Sequence, residues 1–199
     1  LLLLVMLLLP MCLMAQSNWH LQLRAQDQDE AFFTKHLKIK ERYNSDLQIR
    51  KELGAMLLKL YDLGYLGASV DSLEMKGDTA IAWVFAGPQL EWVQLRPGNV
   101  EMPILSQAQY KDRFFTGKPV NFRQLNGLLT DILTYAENNG YPLAILQFDE
   151  IKITNQRVDA TISLTTGKLI KIDSVTVSDP TVISPIFLRS YIGLKNGSL

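Results

Sequence analysis

The chain has 199 residues, enough for one or two ordinary domains, and its 20 Lys and Arg residues balance its 20 Asp and Glu residues. Without net charge there is no strong basic field for nucleic acid or for an acidic membrane surface, so neither partner is predicted. The single cysteine, Cys12, excludes a scaffold held together by disulfides.

The N-terminal segment, residues 1–15, is almost entirely apolar, and every Lys, Arg, Asp and Glu lies at or after Arg24. The segment is shorter than the roughly 20 apolar residues that span a bilayer. It matches the apolar region of a secretory signal peptide that ends at Ala15. We therefore predict a signal peptide at 1–15 and an exported protein. A retained membrane anchor is one alternative, and lipidation at Cys12 is another, although the residues just before Cys12 are not small.

The segment that follows is predicted to contain one strand, two helices and two more strands. Trp19, Leu21 and Leu23 alternate with polar residues, as is typical of a half-buried strand. The later elements are expected at about 31–40 and 46–63 for the helices, and at about 68–76 and 79–86 for the strands.

The same pattern occurs twice, about 80 residues apart. The long helix of each copy ends at a glycine, Gly64 or Gly140, which suits the left-handed residue at a helix end. Apolar residues hold the same five offsets before each glycine: Ile49, Leu53, Met56, Leu57 and Leu60 in the first copy, and Leu125, Leu129, Ile132, Leu133 and Ala136 in the second. The offsets follow one face of an α-helix, so the chain is predicted to be an array of small modules.

Each copy continues to a second glycine, Gly87 or Gly167, and then into a strand that opens the next module. In the second copy the strand pair is expected at about 144–153 and 157–165. The predicted modules span 18–87 and 88–167, and 168–199 is predicted to be the start of a third. The fold class is therefore α+β. Each module is predicted to have the order strand–helix–helix–strand–strand, with a three-stranded mixed sheet covered on one face by two helices.

A sheet of this kind has edge strands with unpaired N–H and C=O groups. If the last strand of a module is central, the preceding strand lies at an edge and can bind an extended partner. The candidate partner-binding residues are Val70, Asp71, Ser72, Leu73, Glu74 and Met75. The corresponding edge of the second module is Ile145–Ile153. The alternative is that neighbouring modules or turns cover these edges.

The sequence offers little chemistry. Its two histidines, His20 and His36, are interpreted as structural or surface residues, and neither spacing nor cysteine pairs indicate a metal site. No catalytic, cofactor-binding or metal-binding residue is predicted, and the protein is not expected to be an enzyme.

Three further groups are given structural interpretations: Asp27, Asp29 and Glu30 as a helix-capping loop; Lys35, Lys38, Lys40 and Arg42 as a solvated helix face; Trp83 and Trp92 as core or inter-module packing residues.

The repeated motifs resemble POTRA domains, the periplasmic modules of the BamA/TamA family of outer-membrane assembly proteins. The similarity lies in Gly64-Tyr65 followed by Ala68, in Gly140-Tyr141 followed by Ala144, and in the strands that begin after Gly87-Pro88 and Gly167-Lys168. Module two also has Gly-Asn after its opening strand, at Pro97-Gly98-Asn99, whereas Asp179-Pro180 takes this place in module three.

The resemblance implies modules that precede a membrane-embedded β-barrel and receive unfolded outer-membrane proteins or accessory subunits that are periplasmic proteins or lipoproteins. It also implies a periplasmic location, with attachment to the outer membrane through a C-terminal barrel beyond this sequence. A membrane-anchored periplasmic division or scaffold protein with one such module is the alternative, but it leaves the second copy of the repeat unexplained. A periplasmic enzyme with a small α/β domain would require a histidine or carboxylate constellation.

Overall fold

A computed structural model describes residues 18–171 and 184–192. The predicted signal peptide and most of the predicted third module lie outside the described residues. The described chain divides into two compact units, one formed by residues up to Leu60 with Gly67–Gly87, the other by Tyr61–Leu66 with Pro88 onward.

The first unit contains a four-stranded mixed sheet and two helices. Its elements are β1 (Trp19–Ala25), α1 (Glu30–His36), β2 (Arg42–Tyr43), α2 (Asp46–Asp62), β3 (Ser69–Lys76) and β4 (Thr79–Phe85), with the end of α2 assigned to the second unit. The strand order is β2-β1-β4-β3. β1 runs parallel to β4, and the other pairs are antiparallel. The three predicted strands are present, and the two-residue β2 extends the sheet.

Helix α1 ends four residues earlier than the predicted boundary at Lys40. Leu37 has extended backbone angles, and its N–H closes the last turn onto the Phe33 carbonyl oxygen at 2.7 Å. The chain then leads to β2, and the Glu41 carbonyl oxygen accepts from the Leu21 N–H at 3.1 Å. Pairing with the sheet thus replaces the helical turns that the local sequence predicts.

The core of the first unit lies between the helices and one face of the sheet. Along α2 the buried residues are Ile49, Leu53, Met56 and Leu60, which are four of the five residues in the predicted stripe. Every second residue of β4 is fully buried: Ala80, Ala82 and Val84. The face of the sheet opposite these residues is called the open face below.

The second unit has a similar arrangement, with a three-stranded sheet. Its elements are β5 (Glu91–Arg96), α3 (Met102–Gln107), a 3₁₀ turn (Asp112–Phe114), α4 (Phe122–Asn138), β6 (Ile145–Thr154) and β7 (Arg157–Thr165); the structure also describes α5 (Pro185–Ile192). The sheet has the order β5-β7-β6. β5 is parallel to β7, and β6 is antiparallel to it.

The core of the second unit is centred on Leu95, Ile132 and Ile162, all fully buried. Leu128, outside the predicted stripe, is buried, whereas Leu129 and Leu133 are only half-buried. Helix α4 therefore faces the sheet slightly rotated from the predicted stripe.

Aromatic residues complete this core. Trp92 is buried as predicted, and its ring meets Phe115 edge-on at 6.4 Å between centroids. The Tyr110 hydroxyl donates to the Leu95 carbonyl oxygen. Burial, and to a lesser extent Asp112, raises the pKa of Tyr110, so this hydroxyl remains a donor at neutral pH.

The helix-ending glycines have matching geometry in the two copies. Gly64 has φ +95° and Gly140 has φ +88°, a region that L side chains rarely adopt. The Gly64 carbonyl oxygen accepts from the Leu90 N–H at 2.8 Å, and the Gly140 carbonyl oxygen accepts from the Ile170 N–H at 2.8 Å. Each glycine thus ends a helix and holds the backbone three residues beyond the second glycine of its copy, Gly87 or Gly167.

Candidate partner-binding edge

The predicted edge residues lie in β3, at one end of the four-stranded sheet. β4 lies between β1 and β3, so the condition that the last strand be central is met. Among the described strands, β3 pairs only with β4, which leaves its outer side as a sheet edge. Asp71, Ser72, Glu74 and Met75 are exposed, whereas Val70 and Leu73 are half-buried.

The N-terminal end of β3 is irregular. The register with β4 shifts between Val70 and Ser72, which places Asp71 in a bulge. The Asp71 carboxylate accepts from the Ser69 hydroxyl at 2.6 Å and from Gln26 Nε2 at 2.8 Å. Bulges and charges are common means of blunting a sheet edge. The regular part of the edge is therefore Ser72–Lys76, where Glu74 also pairs with Lys76 at 2.7 Å.

The corresponding edge of the second unit is β6, which pairs among the described strands only with β7. Its register shifts between Asp149 and Lys152, and Glu150 has a positive φ of 52°. This bulge interrupts the strand near its middle. Ile151 and Ile153 are nevertheless more than half exposed. The second edge is longer than the first, but it is divided into two short regular parts.

The two histidines make contacts within the first unit. His20 Nδ1 lies 3.0 Å from the Glu41 carbonyl oxygen, and the His36 ring packs against Phe32 at 4.9 Å between centroids. Within residues 18–171 and 184–192, no group of three or more His, Cys, Asp or Glu side chains could hold a metal ion. In the same part of the chain, no helix has the length and apolar character needed to cross a membrane.

The exposure of Trp83 corrects the sequence analysis. Trp83 was expected to pack in a core or between modules, but it is 39% exposed on the open face of the first sheet. Ile81 and Phe85 share this face, because side chains alternate along a strand. The smaller residues Ala80 and Ala82 face the helices instead.

The structure also assigns Asp27 a role that the sequence analysis missed. Its carboxylate accepts from two backbone N–H groups beyond the end of β4, those of Ala86 at 2.9 Å and Gly87 at 2.7 Å. By contrast, Asp29 occupies the N-cap position of α1 without a side-chain hydrogen bond to the helix. The predicted helix-capping role therefore does not apply to Asp27, which caps a strand end.

Asn99 has the equivalent role in the second unit. Its Oδ1 accepts from the Leu164 N–H at 2.8 Å, and its Nδ2 donates to the Leu164 carbonyl oxygen at 2.9 Å. A carboxylate suits the two donors at Asp27, whereas an amide suits the donor and acceptor at Asn99. Each side chain therefore matches the backbone groups that it meets.

Replacing the Asn99 amide with a carboxylate, or the Asp27 carboxylate with an amide, is expected to destabilise the unit concerned. Asn99→Asp places a carboxylate against the Leu164 carbonyl oxygen and should cost about 1–3 kcal/mol. Asp27→Asn replaces a charge-assisted acceptor with an amide and should cost about 1 kcal/mol. Urea denaturation of both variants measures these losses, and Asn126→Asp on the exposed side of α4 is the control. Unchanged stability of Asn99→Asp would contradict the strand-capping role.

Solved structures of POTRA domains are similar to this chain. BamA POTRA3-5 from Haemophilus influenzae has a TM-score of 0.59 at 13% identity, over 91% of this chain and 78% of that chain. BamA from Haemophilus ducreyi lacking POTRA domains 1-3 has a TM-score of 0.48 at 14% identity, over 74% of this chain and 29% of that chain. POTRA1-3 of the periplasmic domain of Omp85 from Anabaena has a TM-score of 0.38 at 14% identity, over 72% of this chain and 59% of that chain.

No protein-family model matches the sequence, and no curated protein matches it. The similarity to the Haemophilus influenzae structure shows that the chain has the POTRA fold. The predicted α+β fold class is confirmed, with sheets of three and four strands.

Proposed function

We propose that this chain is the periplasmic, client-binding part of an outer-membrane protein that assembles or translocates other outer-membrane proteins. The proposal is supported by the POTRA fold, which the chain shares with BamA POTRA3-5 from Haemophilus influenzae. Attachment to the outer membrane is proposed to come from a C-terminal barrel beyond this sequence. The proposed partners are unfolded outer-membrane proteins and periplasmic accessory subunits, and no catalytic role is proposed.

The observation that carries the proposal is the position of β3 at the edge of its sheet. An extended partner that adds to this edge forms main-chain hydrogen bonds, which depend little on the partner's sequence. Each such bond contributes a net stabilisation of about 0.5–1.5 kcal/mol. The regular part of the edge, Ser72–Lys76, is short, so the complex should be weak and readily exchanged. Weak binding of many different sequences suits a protein that passes clients onward.

Site-specific photocrosslinking tests this assignment. A photoreactive residue at Glu74 is expected to crosslink to an outer-membrane β-barrel polypeptide that is held unfolded in dilute urea. The same residue at Lys51, on the exposed surface of α2, is the control and should give little product. Crosslinking is measured by gel shift and mass spectrometry. Equal yields at the two positions, or a higher yield at Lys51, would contradict binding at the edge.

A further inference from the structure

The open faces of the two sheets differ at equivalent positions. On β4, the residues that lie two, four and six positions before Gly87 are Phe85, Trp83 and Ile81; on β7, the residues at the same offsets before Gly167 are Thr165, Ser163 and Thr161. Trp83 and Phe85 are 39% and 37% exposed. The first unit therefore presents an apolar stripe where the second presents small polar residues.

The fold itself does not require this stripe. The strands opposite the helices have the same connections in both units, and the residues facing the helices are apolar in both. In the second unit the open face instead carries an ionic network, in which Arg96 pairs with Asp159 at 2.7 Å and donates to the Thr161 hydroxyl at 3.1 Å. An exposed apolar stripe that the fold can dispense with points to a binding partner.

The edge strand leaves the aromatic rings accessible. In the register of β3 with β4, Ser69 lies opposite Phe85 and Ser72 lies opposite Trp83. In the second unit the larger side chains are on the edge strand and the smaller ones on the central strand, because Ile145 lies opposite Thr165 and Gln147 opposite Ser163. A side chain beyond the edge can therefore reach the rings across a serine in the first unit only.

The width of the stripe determines the kind of partner. It is one strand wide, about 4.8 Å, and polar residues flank it: Gln22 on β1 and Glu74 on β3 both lie opposite Ile81. A helix about 10 Å across would cover these flanking polar residues as well. An extended segment fits better, because its alternate side chains recur about every 6.7 Å, the same repeat that separates Trp83 from Phe85.

We infer that the first unit selects extended segments with aromatic or large apolar residues at alternate positions. The segment adds through its main chain to the regular part of β3, Ser72–Lys76. It places one side chain over Ser72, against Trp83, and its next alternate side chain lies beyond the bulge over Ser69, against Phe85. This inference rests on the proposed function, since the added strand is the one proposed above. The inference adds that the β3 edge discriminates among the side chains of its partner, whereas the β6 edge does not.

Two labelled peptides of equal length test the inference by fluorescence anisotropy. One alternates Phe with Thr and the other alternates Ser with Thr, each with terminal lysines for solubility. The double variant Trp83→Ser/Phe85→Thr gives the first unit the residues found at the equivalent positions of the second. It should weaken binding of the Phe-Thr peptide about tenfold and leave the Ser-Thr peptide unchanged. The variant Ser72→Leu fills the gap beside Trp83 and should have the same selective effect.

The outcomes separate this inference from the proposed function. If both peptides bind and neither variant changes their ratio of affinities, the side-chain selection is wrong while edge binding stands. If neither peptide binds the full chain, the proposed function itself is contradicted. Circular dichroism confirms that each variant is folded. Ser72→Leu keeps both aromatic rings in place, so it serves as the second variant if Trp83→Ser/Phe85→Thr unfolds.

Discussion

Replacing Gly98 with alanine is expected to destabilise the second unit strongly, with a loss of about 3–5 kcal/mol in the free energy of unfolding. Gly98 has φ +58°, a left-handed conformation that costs an alanine about 1–2 kcal/mol. The larger cost is steric, because a Cβ at this position would lie 1.9 Å from the Ile162 carbonyl oxygen. That oxygen belongs to β7, the central strand, and cannot move without disturbing the sheet.

A second glycine of the same unit provides the matched control. Gly127 lies inside α4, and a Cβ there would meet no heavy atom within 4 Å. Gly127→Ala should therefore stabilise the protein by about 0.5–1 kcal/mol, because glycine is a poor helix former. The two Gly→Ala replacements are expected to have opposite signs.

Tryptophan fluorescence can follow the second unit alone. Trp92 is the buried tryptophan of that unit, and replacing Trp19 and Trp83 with phenylalanine makes it the single reporter. Urea denaturation followed at Trp92 then gives the stability of Gly98→Ala and Gly127→Ala in one background. A loss below about 1 kcal/mol for Gly98→Ala would show that the approach of Gly98 to β7 is not tight.

The long elements could be predicted from the sequence because their patterns repeat over many residues. The apolar stripe of α2 extends from Ile49 to Leu60, and the observed helix, Asp46–Asp62, differs by one residue from the predicted range. The strands of both hairpins also lie within a residue of their predicted bounds. β2 could not be predicted in this way, because two residues are too few to show an alternation.

The orientation of β4 shows a different limit. Both of its faces are apolar, with Ala80 and Ala82 on one side and Ile81 and Trp83 on the other. Alternation separates the two faces, but it cannot say which of two apolar faces is buried. Trp83 was expected to pack in a core or between modules, whereas the structure buries the alanines.

The strand caps had no local signal at all. Asp27 bonds to residues 59 and 60 positions away, and Asn99 bonds to a residue 65 positions away. In the sequence Asp27 belongs to an acidic loop cluster, and Asn99 belongs to a Gly-Asn motif. Their role depends on where the chain returns to the sheet, which only the tertiary structure defines.

Binding at the β3 edge is expected to be lost when proline removes a main-chain donor that points away from β4. The N–H groups of a strand alternate between its two sides, and proline has none. Prolines placed one at a time at Ser72, Leu73, Glu74 and Met75 should therefore divide into two classes. One class loses binding of the Ser-Thr peptide with little change in stability, and the other loses a bond to β4 and is destabilised by several kcal/mol.

This alternation separates edge binding from general damage to the sheet. Binding and stability should vary out of phase along the four positions, because each N–H serves either the partner or β4. Charge reversal by Glu74→Lys leaves every backbone donor in place and should leave binding of the Ser-Thr peptide, whose charges lie only at its termini, within about threefold, since exposed charges contribute little. The matched change Gln147→Pro on β6 shows whether the second unit also binds the peptide. If all folded proline variants of β3 bind like the unaltered protein, the partner does not add to this strand, whatever else the fold binds.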